Sequence, residues 1–146
     1  MEKESFIYMI CSQEKTNTEG TYYDIDFGGF GNNNENYKID VLNFIINDTL
    51  LDTRGFMIFV CEDLADNGSF CTSLLNGNQA IITTVSTDLN SLMSTSGSTF
   101  FAMNCKQKKR VRFKFLNPNL TDAVDGQDIN LEYDSDWVLT LKMTPI

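Results

Sequence analysis

The chain has 146 residues, 42% of them hydrophobic and 12% aromatic, which is enough to bury the core of one domain and too apolar for a disordered tail. Its net charge of −9 and pI near 4.3 give an acidic surface that repels nucleic acid and anionic membrane over most of its area. The absence of histidine excludes Ser-His-Asp and Cys-His catalysis and histidine-ligated zinc and haem sites.

In chain order, Met1-Glu2-Lys3-Glu4 lacks the basic start and long apolar run of a secretory signal. Phe6–Cys11 is continuously apolar, which predicts a strand covered on both faces. Tyr22–Phe27 alternates, with Tyr23, Ile25 and Phe27 on one side and Asp24 and Asp26 on the other, the period of a half-buried strand. The glycines and asparagines of Gly28–Asn34 predict a loop. Tyr37–Ile46 predicts a long strand whose apolar face switches near Asn43, the mark of a bulge.

Phe56–Cys61 is a second fully apolar strand, and Asp63–Ser69 carries the Asp-Asn-Gly chemistry of a turn. Ala80–Ser86 reads as a Thr-rich strand. Asp88–Met93, with Thr87 or Asp88 as its cap, predicts one short helical turn. Strands follow at Thr99–Cys105, Arg110–Leu116, Asn130–Tyr133 and Trp137–Met143. The last places Trp137, Leu139, Leu141 and Met143 on one face. No segment reaches the length of a membrane span. About eight strands at this spacing predict an all-β fold: a single antiparallel β-sandwich domain over residues 1–146, jelly-roll-like, with a barrel as the alternative.

Little in the sequence suggests chemistry. Cys11, Cys61, Cys71 and Cys105 have no CxxC spacing, and buried reduced thiols explain them better than metal ligands do. Asp24 and Asp26 share a strand face, yet outward carboxylates on an acidic protein are ordinarily solvated, and nothing positions a two-carboxylate pair. The chain is therefore expected not to be an enzyme and to require no cofactor. Asp122, Asp125 and Asp128 gather around Gly126 as a calcium-loop candidate. The spacing does not match an EF-hand, and an acidic surface loop is the commoner outcome. Tyr22, Phe30 and Tyr133 lie near polar loops, where a ring could stack on a sugar in a lectin-like or attachment module. Core or rim packing is the commoner role for such rings.

The marked charge feature is Lys106–Lys114, which holds Lys106, Lys108, Lys109, Arg110, Arg112 and Lys114. Six of the 11 basic residues fall there, leaving five against 20 acids elsewhere. Strand geometry points Arg110, Arg112 and Lys114 outward and Val111, Phe113 and Phe115 into the core. Three uses compete for this stripe. It can be an outward face balanced by neighbouring acids such as Glu132, Asp134 or Asp136. It can dock an acidic partner, including another copy of the chain. Nucleic acid is disfavoured, because inward aromatics leave no stacking platform.

The closing block runs Arg110-Val111-Arg112-Phe113-Lys114-Phe115-Leu116-Asn117, a polar acidic loop, Ile129-Asn130-Leu131, then Asp136-Trp137-Val138-Leu139-Thr140-Leu141-Lys142-Met143. This cadence resembles the final strands of small β-sandwich structural proteins from large eukaryotic DNA viruses, virophages and polinton-like viruses. The resemblance covers roughly the last quarter of the chain. It implies a non-enzymatic virion component of minor capsid, cement or penton type, assembled in the host cytoplasm or nucleus. The partners it implies are other capsid proteins or copies of the chain itself, in an oligomer with no membrane contact.

Overall fold

A computed structural model describes residues 4–18, 22–27, 36–48, 56–62, 64, 80–86, 91–95, 99–103, 105, 109–116 and 136–146. Nine strands occur among them: β1 (Phe6–Cys11), β2 (Tyr22–Asp26), β3 (Tyr37–Asp48), β4 (Phe56–Glu62), β5 (Ala80–Ser86), β6 (Ser91–Thr95), β7 (Thr99–Ala102), β8 (Arg110–Leu116) and β9 (Asp136–Pro145). They form two antiparallel sheets. The first has five strands in the order β1-β9-β3-β6, with β7 also paired to β3, and the second runs β2-β8-β4-β5.

The pairs are nested. β4 pairs with β5, β3 with β6 and β7, β2 with β8, and β1 with β9. A long hairpin ribbon is thus rolled on itself, and the rolling adds the contacts β3–β9 and β4–β8. This is jelly-roll connectivity, and the expected sandwich is correct. Contacts between β5 and β6 join the two sheets along one side.

Alternation along the strands fills the space between the sheets. Phe44 and Trp137 from the first sheet meet Tyr23, Phe59, Phe113 and Phe115 from the second, all fully buried. Trp137 stands edge-on to Phe59 at 4.9 Å and to Tyr23 at 5.3 Å, while Phe59 stacks on Phe113 at 5.6 Å. Such contacts add about 0.5–1.5 kcal/mol per pair to the area they bury. A 3-10 turn, Ser12–Glu14, leads off β1, and the buried Ser12 hydroxyl accepts a hydrogen bond from the Trp137 backbone N–H at 3.0 Å.

The switch of face predicted near Asn43 is present. Tyr37, Ile39 and Val41 point inward, then Phe44 and Ile46 do, and the register with β9 shifts between Val41 and Asn43. The extra residue is Leu42, which faces solvent.

Three expectations are corrected. Ser91–Met93 is strand, not helical turn. β7 pairs with β3 only as far as Asp40, and β6 supplies the ladder partner beside Phe44–Asp48. Backbone pairing outweighs a local capping signal there. The strand predicted to reach Cys105 stops at Ala102. Phe6–Cys11 is covered on one face only, because Ile7 and Met9 are 57% and 59% exposed. By contrast β4 is apolar on two covered faces, with Phe59 and Cys61 in the main core and Ile58 and Val60 in a second cluster with Leu116. Asn130–Tyr133 and Gly28–Asn34 lie outside the described residues.

Because Phe59 sits amid Phe44, Phe113, Phe115 and Trp137, Phe59→Ala is expected to destabilise the fold by about 3–5 kcal/mol. Chemical denaturation followed by Trp137 fluorescence measures this, and a loss below about 1 kcal/mol would contradict the packing described.

Candidate functional site: the two outer sheet faces

The outer face of the four-stranded sheet carries the basic strand. Register places Tyr22 opposite Lys114, Asp24 opposite Arg112 and Asp26 opposite Arg110, with Glu62 of β4 on the other side of Arg112. The cations point outward as predicted, and acids of this sheet meet them. Arg112 donates from Nε to Asp24 Oδ1 at 2.7 Å and from Nη2 to Asp24 Oδ2 at 3.1 Å, a two-pronged pair. Its guanidinium also lies 4.0 Å from the centre of the Tyr22 ring. Lys114 Nζ reaches Glu62 at 2.6 Å, and Arg110 reaches Asp26 at 3.4 Å.

The hydrogen bond to Asp24 holds the Arg112 pKa above its ordinary value, against the opposing effect of burial. The Arg110–Asp26 pair is exposed on both sides, at 59% and 74%, and contributes little. Three cations against three acids leave this part of the stripe neutral.

The balancing acids are therefore Asp24, Asp26 and Glu62. Of the acids expected from sequence, Asp136 lies on β9 in the opposite sheet, where it accepts from the Gln13 side chain at 3.4 Å. Glu132 and Asp134 lie outside the described residues, as do Lys106 and Lys108. Lys109 is exposed, and its carbonyl accepts the Phe27 N–H. Asp122, Asp125 and Asp128 also fall outside, with Cys71, Phe30 and Tyr133. Cys61 and Cys105 are buried, their Sγ atoms 3.7 Å from the Glu62 carbonyl and 3.6 Å from the Ala102 carbonyl, and Cys11 is half-buried with its Sγ 3.8 Å from Glu14 Oε1. Tyr22, the described member of the three sugar-stacking candidates, has Arg112 over its ring.

The outer face of the five-stranded sheet differs in kind. Register sets its outward residues in rows across β1, β9 and β3: Cys11–Val138–Ile45, Met9–Thr140–Asn43 and Ile7–Lys142–Asp40. A fourth row holds Thr144, Lys38 and, on β7, Phe101, with Ser5 hydrogen-bonded to Thr144 at 3.0 Å. Ile7, Met9, Leu42 and Phe101 all stand exposed here, Leu42 at 44% and Phe101 at 48%. At the Cys11 end a pocket of about 350 Å³ opens, lined by Cys11, Ser12, Gln13, Ile45, Asp136, Trp137 and Val138. Such a volume accepts a large side chain or a small ligand.

Sequence reasoning missed this face, since it treated Phe6–Cys11 as buried on both sides. The signal that could have found it was the unpartnered Leu42 beside a predicted bulge. Among the described residues no group of three or more Cys, Asp or Glu could hold a metal ion, and no helix is long and apolar enough to cross a membrane.

Tyr8 sits at the edge of the sandwich, edge-on to Phe27 at 5.8 Å. Burial raises its pKa above 10.0, with further raising by Glu14 and Asp26. Its folded value lies above its unfolded one, so its contribution to stability is intact below about pH 10 and is lost as pH rises through the folded value. Absorbance titration of the phenols is expected to show a late-ionising tyrosine that Tyr8→Phe removes. Arg112→Lys keeps the charge but loses the two-pronged geometry and the ring contact, and is expected to cost about 0.5–1 kcal/mol in chemical denaturation.

No protein-family model, no curated protein and no solved structure matches this chain.

Proposed function

We propose that this chain is a non-enzymatic structural subunit acting through protein–protein contacts, of the minor capsid, cement or penton kind that its closing strands resemble. The carrying observation is the outer face of the five-stranded sheet, where Ile7, Met9, Leu42 and Phe101 stand exposed within one structured surface. Exposed apolar residues gathered on one ordered face favour an interaction site. The acids that could have formed a catalytic pair argue the same way. Asp24 and Asp26 are each engaged by an arginine, and the apolar pocket has one carboxylate, Asp136, on its wall. Jelly rolls build capsids, lectins and cupins alike, so the virion assignment rests on the resemblance and the contact role on the exposed face.

This changes which surface carries the affinity. The basic strand is neutralised by its own sheet, so reversing Arg112 would place a third carboxylate beside Asp24 and Glu62 and test folding rather than docking. The apolar face can be altered without that cost. Met9→Lys and Leu42→Lys each lie on exposed positions and are expected to change stability by no more than about 0.5 kcal/mol.

Quantitative mass spectrometry of particles purified from the native source tests the reading. A fixed copy number relative to a major particle protein is expected. Absence from particles, together with no stoichiometric complex in the same extract, would remove the assembly role.

A further inference from the structure

We propose that the outer face of the five-stranded sheet docks on a second copy of this chain about a twofold axis that lies in the face and crosses the strands. This inference rests on the assembly reading above and names the partner.

The argument begins with the face's two unlike ends. At one end Phe101 projects from β7 beside Lys38, with Lys142 in the adjacent row. At the other end lies the pocket walled by Cys11, Ile45 and Val138, with exposed Asp136 and Glu14 beside it. One end thus offers a knob and exposed cations, the other a hole and exposed acids. A twofold axis across the strands, between the Met9 and Ile7 rows, reverses row order and keeps each strand over its own copy. Phe101 then lands over β6, one strand from Ile45 at the rim of the second copy's pocket, and the reciprocal contact forms at once.

The same operation brings Lys38 to the Asp136 end of the second copy and sets Met9 over its Ile7. Leu42, between the two central rows, lies beside the axis next to its own copy, and the cation end of each face comes to the acid end of the other. Asp40 remains within its own sheet, where the Thr99 hydroxyl donates to it.

Charge also favours a second copy over a highly charged partner. Lys38 and Lys142 against Asp40, Asp136 and Glu14 leave this face close to neutral, so two chains of net charge −9 can approach there with little local repulsion. Nucleic acid would find no excess of cations. Four strands about 4.8 Å apart and four rows about 6.8 Å apart cover roughly 500 Å² per copy. That totals about 1,000 Å², the lower end for a specific interface, so a weak reversible dimer is expected.

Analytical ultracentrifugation over a concentration series tests the proposal, with near-UV circular dichroism confirming that each variant is folded. Wild-type protein is expected to dimerise reversibly, and Phe101→Ser to weaken the dimer about tenfold or more. Lys38→Glu and Asp136→Lys should each weaken it, and the two together in one chain should restore it, because each altered lysine position lies one strand and one row from an altered aspartate position across the axis. Alkylation of Cys11 is expected to slow as dimer accumulates. Folded wild-type protein that stays monomeric throughout would overturn this inference and leave the assembly reading to its own particle test. A dimer unaffected by Phe101→Ser, with no recovery in the charge-swapped double variant, would show association through another surface and equally overturn it.

Discussion

The structure depends on the contact between Trp137 and Phe59. Each side chain comes from a different sheet, and their ring centres lie 4.9 Å apart with Phe44, Phe113, Phe115 and Tyr23 around them. Neither sheet could hide these rings alone, since a sheet shields only one face of what it carries. The aromatic cluster therefore fixes which side of every strand is inner. Once Trp137 is inward, alternation sends Val138, Thr140 and Lys142 outward, and once Phe59 and Phe113 are inward, Arg112 and Lys114 must face solvent.

The two outer faces follow from that choice and solve different problems. On the four-stranded sheet the outward residues are charged, and cross-strand register sets cations beside acids at 2.6 to 3.4 Å. The result is a self-satisfied surface with Arg112 fixed by both Asp24 and Tyr22. On the five-stranded sheet the outward residues of β1 are apolar, and the bulge at Leu42 adds another apolar side chain. The described part of that face keeps them exposed. A surface of the first kind is complete within one chain, whereas one of the second kind gains free energy when covered.

Much of the fold was legible because period two is a direct consequence of the pleat. Tyr22–Phe27 and Trp137–Met143 alternate cleanly and are strands, and the face switch near Asn43 was visible as a break in that alternation. The inward set of β8 was equally readable, as was the outward direction of Arg110, Arg112 and Lys114. Where the reading failed, the deciding partner was distant in sequence. Ser91–Thr95 became a strand because β3 offers a ladder partner to it. The acids that neutralise the basic strand lie 84 and 88 residues away for Arg110 and Arg112, whereas sequence proximity pointed among others to Asp136, which lies in the other sheet.

The sequence by itself determined the class of structure and the inner residues of β2, β8 and β9, because alternation and aromatic content are local properties that every sandwich must satisfy. It also determined the absence of histidine chemistry. The tertiary structure decided which strands share a sheet, and so which charges cancel and which apolar residues stay exposed. Phe6–Cys11 and Phe56–Cys61 are both continuously apolar, yet one lies at the edge of its sheet with Ile7 and Met9 exposed while the other lies inside its sheet and is covered on both sides over Ile58–Cys61. Composition cannot separate them, since exposure depends on what packs against the second face, and that is set by how the ribbon rolls.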